Sequence, residues 1–387
     1  MSDSRLRIGV LAGEASGDIL GARLLIELRK VYPELIVEGI GGPLMEEQGL
    51  SSLFPMDRLS VIGLVEPLKR LPELLRIRGT VYEHFRRSPP DVFLGIDSPD
   101  FTLHLEQKLK RLGIPTAHLV SPTVWAWRSW RIRKIKRAVD LMLCLFPFEL
   151  PVYARHGVPA EFVGHPLADE MRRTQDRAGA RAALGLSPDS TVLALLPGSR
   201  SGEVARLLPH FLETVQVLRE QHPRLEVLLP AASAQRRRQI DEVLATLPDT
   251  DVHVLDGDAR LAMTAADAVL LASGTATLEA ALLQRPMVVA YRMSPLSFTI
   301  MYSLATTAYV SLPNILLDRP VVPEFFQGDV CADTLAPAVS ALLAGGARAE
   351  EQREAFASLH ASLSLNYAER AANALLALIG RERKYDV

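Results

Sequence analysis

Asp267-Ala-Val-Leu-Leu-Ala-Ser273-Gly274-Thr275-Ala276-Thr277-Leu278-Glu279 passes from an apolar run, through a Ser-Gly-Thr turn, straight into a helix-forming segment. Its physical reading is a strand, a tight loop and a helix N-terminus. The first N–H groups of a helix have no intrahelical acceptor, and the helix dipole adds partial positive charge, so this junction suits an anion. Gly274 lets a ligand approach the backbone, and Ser273, Thr275 and Thr277 bring hydroxyls to either side of Ala276. Glu279 lies one turn in, where a carboxylate can hold a sugar or ribose hydroxyl. An ordinary strand–helix turn with a threonine cap has the same local sequence, so the decision rests on the rest of the chain.

The same rhythm recurs in both directions. Apolar runs at 7–12, 37–40, 92–96 and 116–120 alternate with helical patterns at 19–31 and 103–112, and runs at 141–145 and 160–163 close this half. It restarts with strands at 192–196, 225–229, 252–255, 268–272 and 287–290 and a helix at 208–220. Alternating strands and helices imply parallel, doubly wound sheets. The expected class is α/β, with two Rossmann-like domains facing a cleft: residues 1–168, then 169–362, with a terminal helix at 363–387 packing across the surface. Gly164-His165-Pro166-Leu167 and the polar run 169–177 read as the hinge. Ligands are expected at the carboxyl ends of the strands.

Composition narrows the function classes. At 387 residues the chain is too long for one common-sized core, and 48% hydrophobic with 23% charged residues fits a folded protein. A net charge of −2 argues against bulk nucleic-acid binding. Cys144 and Cys331 are far apart and offer no disulfide framework, and no spacing of ligands calls for a metal. A strand from residue 6 onward leaves no room for a signal peptide, so a cytoplasmic location is expected. Residues 293–317 carry no charge, yet Pro295, Pro313, Asn314 and seven Ser or Thr residues make them too polar for a spanning helix. Short buried or interface-lying helices are expected there.

Three further loops carry chemistry. Gly13-Glu14-Ala15-Ser16-Gly17-Asp18 follows the first strand; its glycines stand four apart and it has no Lys, so it is neither a dinucleotide fingerprint nor a P-loop. Two carboxylates, a hydroxyl and backbone donors suit a sugar acceptor, with Asp18 equally readable as a helix-start residue. Gly95-Ile96-Asp97-Ser98-Pro99-Asp100 puts Asp97 just past the sheet edge, where a carboxylate can take a proton from a hydroxyl nucleophile. Asp100 is its nearest rival, although Pro99 suggests a turn. Leu196-Pro197-Gly198-Ser199-Arg200 sets a guanidinium, suited to bidentate phosphate contact, beside a Gly-Ser turn. Two anion-friendly loops in one domain favour a diphosphate. Asp256-Gly257-Asp258 matches a metal-binding Asp-x-Asp pattern but has turn composition.

Trp125, Trp127 and Trp130 lie within six residues, and six basic side chains, Arg128 and Arg131 among them, crowd the stretch 128–137. Indoles favour the bilayer interface and clustered cations attract anionic head groups. Val61-Ile62-Gly63-Leu64-Val65, followed by a basic amphipathic stretch, adds an apolar run to that surface. Core tryptophans beside a solvated basic helix are the competing reading.

Taken in order, these pieces resemble the lipid-A-disaccharide synthases of Gram-negative bacteria over nearly the whole length. The resemblance is carried by 13–18, Gly39-Ile-Gly-Gly-Pro43, 95–101, Ser121-Pro-Thr-Val-Trp-Ala-Trp127, Phe162-Val-Gly-His-Pro166, 196–200, 272–279 and Ser311-Leu-Pro-Asn314. It implies a metal-independent, cofactor-free glycosyltransferase, peripheral to the cytoplasmic face of the inner membrane. The implied donor is UDP-2,3-diacylglucosamine and the acceptor 2,3-diacylglucosamine 1-phosphate, joined β-1,6 with inversion. Asp97 would be the base or orient the acceptor, with Glu14, Ser16, Gly17 and Asp18 beside it. Arg200 and the helix start at 273–279 would stabilise the departing diphosphate, and Asn314, Glu324 and Gln327 enter the donor site by resemblance alone. Val61, Ile62, Leu64, Val65, Trp125, Trp127, Arg128, Trp130 and Arg131 would meet lipid. Ser201-Gly202-Glu203 reverses the Gly-Ser-Glu order common in the family, Pro67 interrupts a usually aliphatic stretch, and Ser98 stands where alanine is common. The alternative enzyme is a non-hydrolysing UDP-N-acetylglucosamine 2-epimerase, of similar fold, which leaves the tryptophan and basic clusters unexplained. A non-catalytic nucleotide-sugar binder is the third.

Overall fold

The computed structural model describes residues 5–59, 66–122, 131–171, 176–247, 251–294 and 308–381. The chain divides into two compact units, Met1–Asp169 joined by Ser364–Val387, and Glu170–Leu363.

The first unit holds a seven-stranded sheet in the order β3-β2-β1-β4-β5-β6-β7. Its strands are β1 Arg7–Ala12, β2 Ile36–Ile40, β3 Leu50–Ser52, β4 Val92–Ile96, β5 Thr116–Leu119, β6 Leu141–Cys144 and β7 Ala160–Phe162. The second unit holds six, ordered β10-β9-β8-β11-β12-β13. These are β8 Thr191–Leu196, β9 Leu225–Ala231, β10 His253–Asp256, β11 Ala268–Ala272, β12 Met287–Tyr291 and β13 Glu324–Phe326. Every pairing is parallel, with Ala12 opposite Ile96 and Leu271 opposite Leu196. Helices cover both faces of a parallel sheet, and so β4 and β11 are buried along their whole length and read as continuous apolar runs. The expected strands fall within one or two residues of these. Only β3 and β13 went unread, each three residues long at a sheet edge.

In each sheet the strand order reverses once, between β1 and β4 in the first and between β8 and β11 in the second. At such a switch point the loops leaving neighbouring strands turn to opposite faces and open a crevice at the carboxyl ends. The loops at 13–18 and 97–100 leave β1 and β4, and those at 197–200 and 273–275 leave β8 and β11.

The terminal helix Tyr367–Leu378 belongs to the first unit's core instead of lying across a surface. Tyr367, Ala371, Ala372, Leu375 and Leu376 recur at helical spacing and are buried with Leu24, Leu25 and Leu28 of the helix Ala15–Val31. The Tyr367 hydroxyl donates to the Leu20 carbonyl at 3.0 Å. Asp169, read as part of a hinge, caps this helix: its carboxylate accepts from Ser364 Oγ at 3.2 Å and from the Asn366 and Tyr367 N–H groups at 2.9 and 2.7 Å. Among the described residues no helix is long and apolar enough to cross a membrane. The charge-free stretch at 293–317 contributes the helix Leu312–Leu317, and 295–307 lie outside the described residues.

Candidate active site

At the first switch point Asp97 (φ +52°) and Ser98 (φ +46°) form a left-handed turn between β4 and the helix Pro99–Lys110. Two successive non-glycine residues in that region cost about 1–2 kcal/mol each. The turn is held by Asp97 N–H donating to Leu119 O at 3.0 Å and by the Thr102 hydroxyl reaching the carbonyls of Asp97 and Ser98 at 3.1 and 3.0 Å. One carboxylate oxygen of Asp97, Oδ1, accepts the Ser98 N–H at 2.8 Å. The other has no protein donor among the described residues. Gly13 closes against this turn, since a Cβ there would stand 2.5 Å from Ser98 Oγ. The Gly13 loop is thus brought beside Asp97, with Glu14 and Ser16 exposed at the start of the helix Ala15–Val31.

Two expected acceptor residues have other work. Asp18 is 3% exposed, and its carboxylate accepts the N–H groups of Gly42, Leu44 and Met45, each at 3.0 Å. It caps the helix Pro43–Glu47, and both of its oxygens are engaged there. Gly17 is buried, with positions a Cβ would take at 3.1 Å from Ala12 and 3.4 Å from Ile96, so it sets the helix-to-sheet distance. Asp100, the rival base, is ion-paired with Arg131 at 2.8 Å. That guanidinium is 14% exposed. The remaining members of the proposed lipid face, Val61, Ile62, Leu64, Val65, Trp125, Trp127, Arg128 and Trp130, lie outside the described residues.

In the second unit, loops from β8, β9, β10 and β11 enclose a cavity of about 450 Å³ whose wall includes Gly198, Arg200, Glu203, Ser273, Thr275 and Ala276. Gly274 is the N-cap of the helix Thr275–Leu282, and the N–H groups of Thr275 and Ala276 meet no acceptor among the described residues. No atom lies within 4 Å of where a Gly274 side chain would begin, which leaves the approach open. The expected hydroxyls differ in availability. Ser273 donates to Val310 O at 3.0 Å and the buried Thr277 to Gly274 O at 2.7 Å, while Thr275 is exposed and free.

Arg200 caps the helix Ser201–Gln221 with its side chain 82% exposed. The residue missed in the sequence is Glu203. One of its oxygens accepts the Ser199 and Arg200 N–H groups, both at 3.1 Å, and the other takes Arg200 Nη1 at 2.8 Å. This helix end therefore carries its own anion, and what the loop offers a ligand is the Arg200 guanidinium alone. An ion pair this exposed contributes little and exchanges readily for a phosphate. Gly198 (φ +111°) makes the arrangement possible, because a Cβ there would stand 2.4 Å from Glu203 Oε2. A glutamate at the third helical position after a cap is the sequence signal that could have found it.

Asn314, Glu324 and Gln327 stand apart from this cavity. Asn314 is buried, bonding Val322 through both ends of its amide and Glu324 Oε1 at 2.9 Å. Glu324 also accepts from Val310 N, Ser311 N and Ser311 Oγ, and Gln327 pairs with both backbone groups of Met293. Glu324, braced by Asn314, holds the 308–311 loop, on whose Val310 carbonyl Ser273 rests. Glu279 faces Arg260 at 3.9 Å; burial raises its pKa, with Arg260 opposing and Glu170 adding to the rise. Asp256 pairs with Arg237 at 3.0 Å, and Gly257 and Asp258 form a left-handed turn.

A family model described as lipid-A-disaccharide synthetase matches residues 8–378. The chain is 52% identical over 380 residues to the lipid-A-disaccharide synthase of Pseudomonas fluorescens (strain Pf0-1), a match covering 98% of this chain and 100% of that one. The chain belongs to the lipid-A-disaccharide synthase family. The corresponding protein of Cellvibrio japonicus is 51% identical over 374 residues, 97% of each chain. A lipid-A-disaccharide synthase is a glycosyltransferase, and its substrate classes are a UDP-sugar donor and a lipid acceptor. In three dimensions the chain is similar to the UDP-GlcNAc 2-epimerase of Neisseria meningitidis bound to UDP-GlcNAc, with a TM-score of 0.64 over 96% of this chain and all of that one. At 12% identity that likeness is one of fold, and the epimerase alternative has nothing further behind it.

Proposed function

We propose that the reaction is transfer of 2,3-diacylglucosamine from UDP-2,3-diacylglucosamine to the 6-hydroxyl of 2,3-diacylglucosamine 1-phosphate, at the cytoplasmic face of the inner membrane. The acceptor lies on the unit that carries Asp97, and the donor on the unit that carries Arg200. Asp97 accepts the proton of the 6-hydroxyl through its unpaired oxygen as O6 attacks the donor's anomeric carbon. The bond from that carbon to the diphosphate breaks with its electron pair, UDP departs, and attack from the opposite face inverts the centre to β. Charge developing on the leaving diphosphate meets the Arg200 guanidinium, the free N–H groups of Thr275 and Ala276 and the Thr275 hydroxyl. Glu14 and Ser16 hold the acceptor sugar beside Asp97.

One observation carries this reading. A carboxylate with one oxygen tied and one free stands at the switch point of one sheet, and unpaired backbone donors with an arginine stand at that of the other. Asp18, Gly17, Ser273, Thr277, Asn314, Glu324 and Gln327 become the frame behind these groups. The tryptophan segment and Val61–Val65 make the peripheral contact with lipid.

Purified protein incubated with both substrates should yield a tetraacyl disaccharide 1-phosphate and an equal amount of UDP, read by mass spectrometry. Asp97→Asn should lower kcat by about 10²–10⁴-fold with UDP affinity unchanged; unaltered turnover would remove Asp97 from the mechanism. Epimerisation of UDP-N-acetylglucosamine without any disaccharide would overturn the reaction.

A further inference from the structure

The helices Glu66–Arg87, Pro99–Lys110 and Ile132–Ala138 pack side by side in the first unit. From these three helices Arg78, His104 and Lys134 come close enough to act on one another through their charges. None of the three has a hydrogen bond or ion pair with any described residue. Of the carboxylates nearby, Asp100 pairs with Arg131 at 2.8 Å, and the fully buried Glu106 gives one oxygen to His118 at 2.7 Å while its Oε2 meets no donor among the described residues. Aromatic rings brace the cations without neutralising them, with Arg78 5.9 Å from the Phe101 ring centre and Lys108 5.3 Å from that of Tyr82. Burial, then Lys134, Arg78 and Lys108, holds the His104 imidazole below its ordinary pKa. Burial also lowers Lys134, with Asp100 and Glu106 opposing and Arg131 and Arg78 reinforcing, and burial lowers Arg78. Like charges crowded into a partly desolvated spot destabilise one another until an anion joins them.

We propose that Arg78, His104 and Lys134 form the subsite for the acceptor's phosphate monoester. This deepens the reaction proposed above and rests on it. A phosphate monoester carries about −1.5 to −2 charge near neutral pH, which the Arg78 and Lys134 cations balance. The position also fits. His104 is seven residues beyond Asp97 on the helix that Asp97 introduces, about 10 Å at roughly 1.5 Å per residue. In glucosamine 1-phosphate C1 and C5 flank the ring oxygen, so the 6-hydroxyl and the anomeric phosphate stand on neighbouring sides of the ring, closer together than the two backbone positions, and the Asp97 and His104 side chains with their hydrogen bonds take up the difference. The sugar would then lie along the first two turns of the helix, hydroxyl towards Asp97 and phosphate towards His104. A flat anionic membrane calls for cations spread over a face, whereas two cations and an imidazole meeting from three helices suit one compact anion.

The test removes the charges with Arg78→Gln and Lys134→Gln together in the full chain. Acceptor KM, measured in neutral detergent micelles, should rise about tenfold or more, with donor KM and kcat at saturation within about twofold. Soluble glucosamine 1-phosphate, titrated calorimetrically, should bind wild type and not the variant, and unphosphorylated glucosamine should bind neither. The charge-keeping pair Arg78→Lys with Lys134→Arg should restore binding, which separates a lost contact from a misfolded chain. An unchanged acceptor KM would overturn the proposal, as would a loss confined to sedimentation with phosphatidylglycerol vesicles, which assigns the cations to the membrane. Absence of disaccharide from wild type would remove the reaction itself. The glucosamine 1-phosphate titration would still judge the subsite, because binding lost with the two cations keeps it and no binding by wild type refutes it.

Discussion

Replacing Asp18 by asparagine separates a structural anchor from a substrate contact. Asp18 Oδ1 accepts the Gly42 and Met45 N–H groups and Oδ2 accepts that of Leu44, all at 3.0 Å in a site 3% exposed. Asparagine keeps one carbonyl oxygen for the first two, but its amide turns a donor towards the Leu44 N–H. Losing one charge-assisted bond costs about 1.5–3 kcal/mol. Removing the negative charge from the N-terminus of the helix Pro43–Glu47 adds roughly 0.3–1 kcal/mol. The sum, about 2–4 kcal/mol, is a large part of the roughly 5–15 kcal/mol that holds a typical domain folded. Urea unfolding followed by far-ultraviolet circular dichroism should show an earlier transition for the first unit. Acceptor KM, measured in conditions where the variant is folded, should match wild type. An unmoved transition together with a raised acceptor KM would refute this account and return Asp18 to the sugar.

Gly198→Ala brings a methyl against Glu203 at a left-handed backbone position, at a cost of about 1–2 kcal/mol, and should weaken UDP binding in a calorimetric titration by displacing Glu203 and Arg200. Glu149 is buried, bonded to the Phe146 N–H at 3.1 Å, and burial pushes its pKa up to about 8. It is therefore protonated in the native state at neutral pH and ionised when unfolded, so its contribution is full below about 4.5 and is lost as pH rises towards 8. Glu149→Gln should accordingly gain stability relative to wild type across that window, by up to about 1.4 kcal/mol per pH unit in parallel urea titrations. Leu375→Ala should destabilise the first unit by about 2–5 kcal/mol in thermal unfolding, with UDP binding by the second unit retained.

Much of the architecture was legible because a parallel sheet writes itself as apolar runs. β4 and β11 are buried on both faces and contain nothing else, whereas β3 and β13 at the edges are too short to show a period. The position of Asp97 at the switch point could be read because it directly follows a strand end. Glu14 and Asp18 could not be told apart in the same way. They share a loop, but Glu14 stands before the first helical turn and Asp18 on its inward side, and the N–H groups that claim Asp18 come from a loop 24 residues away or more. The same holds for Asn314 and Glu324, whose hydrogen-bond partners are created by the fold. Glu203 was legible as a cap, yet its effect, neutralising the loop expected to receive phosphate, depends on the turn that Gly198 allows.

The terminal helix makes the first unit discontinuous along the chain, and this governs its birth. Residues up to Asp169 leave the ribosome long before Tyr367–Leu378, the helix that covers Leu24 and Leu28, has been made. About 200 residues intervene, on the order of 10–40 s at bacterial elongation rates of roughly 5–20 residues per second. Through that interval the second unit can finish its own core, while the first waits with a stripe of leucines uncovered. The half of the molecule made first is completed last, and in the meantime that stripe is where a chaperone would hold the nascent chain.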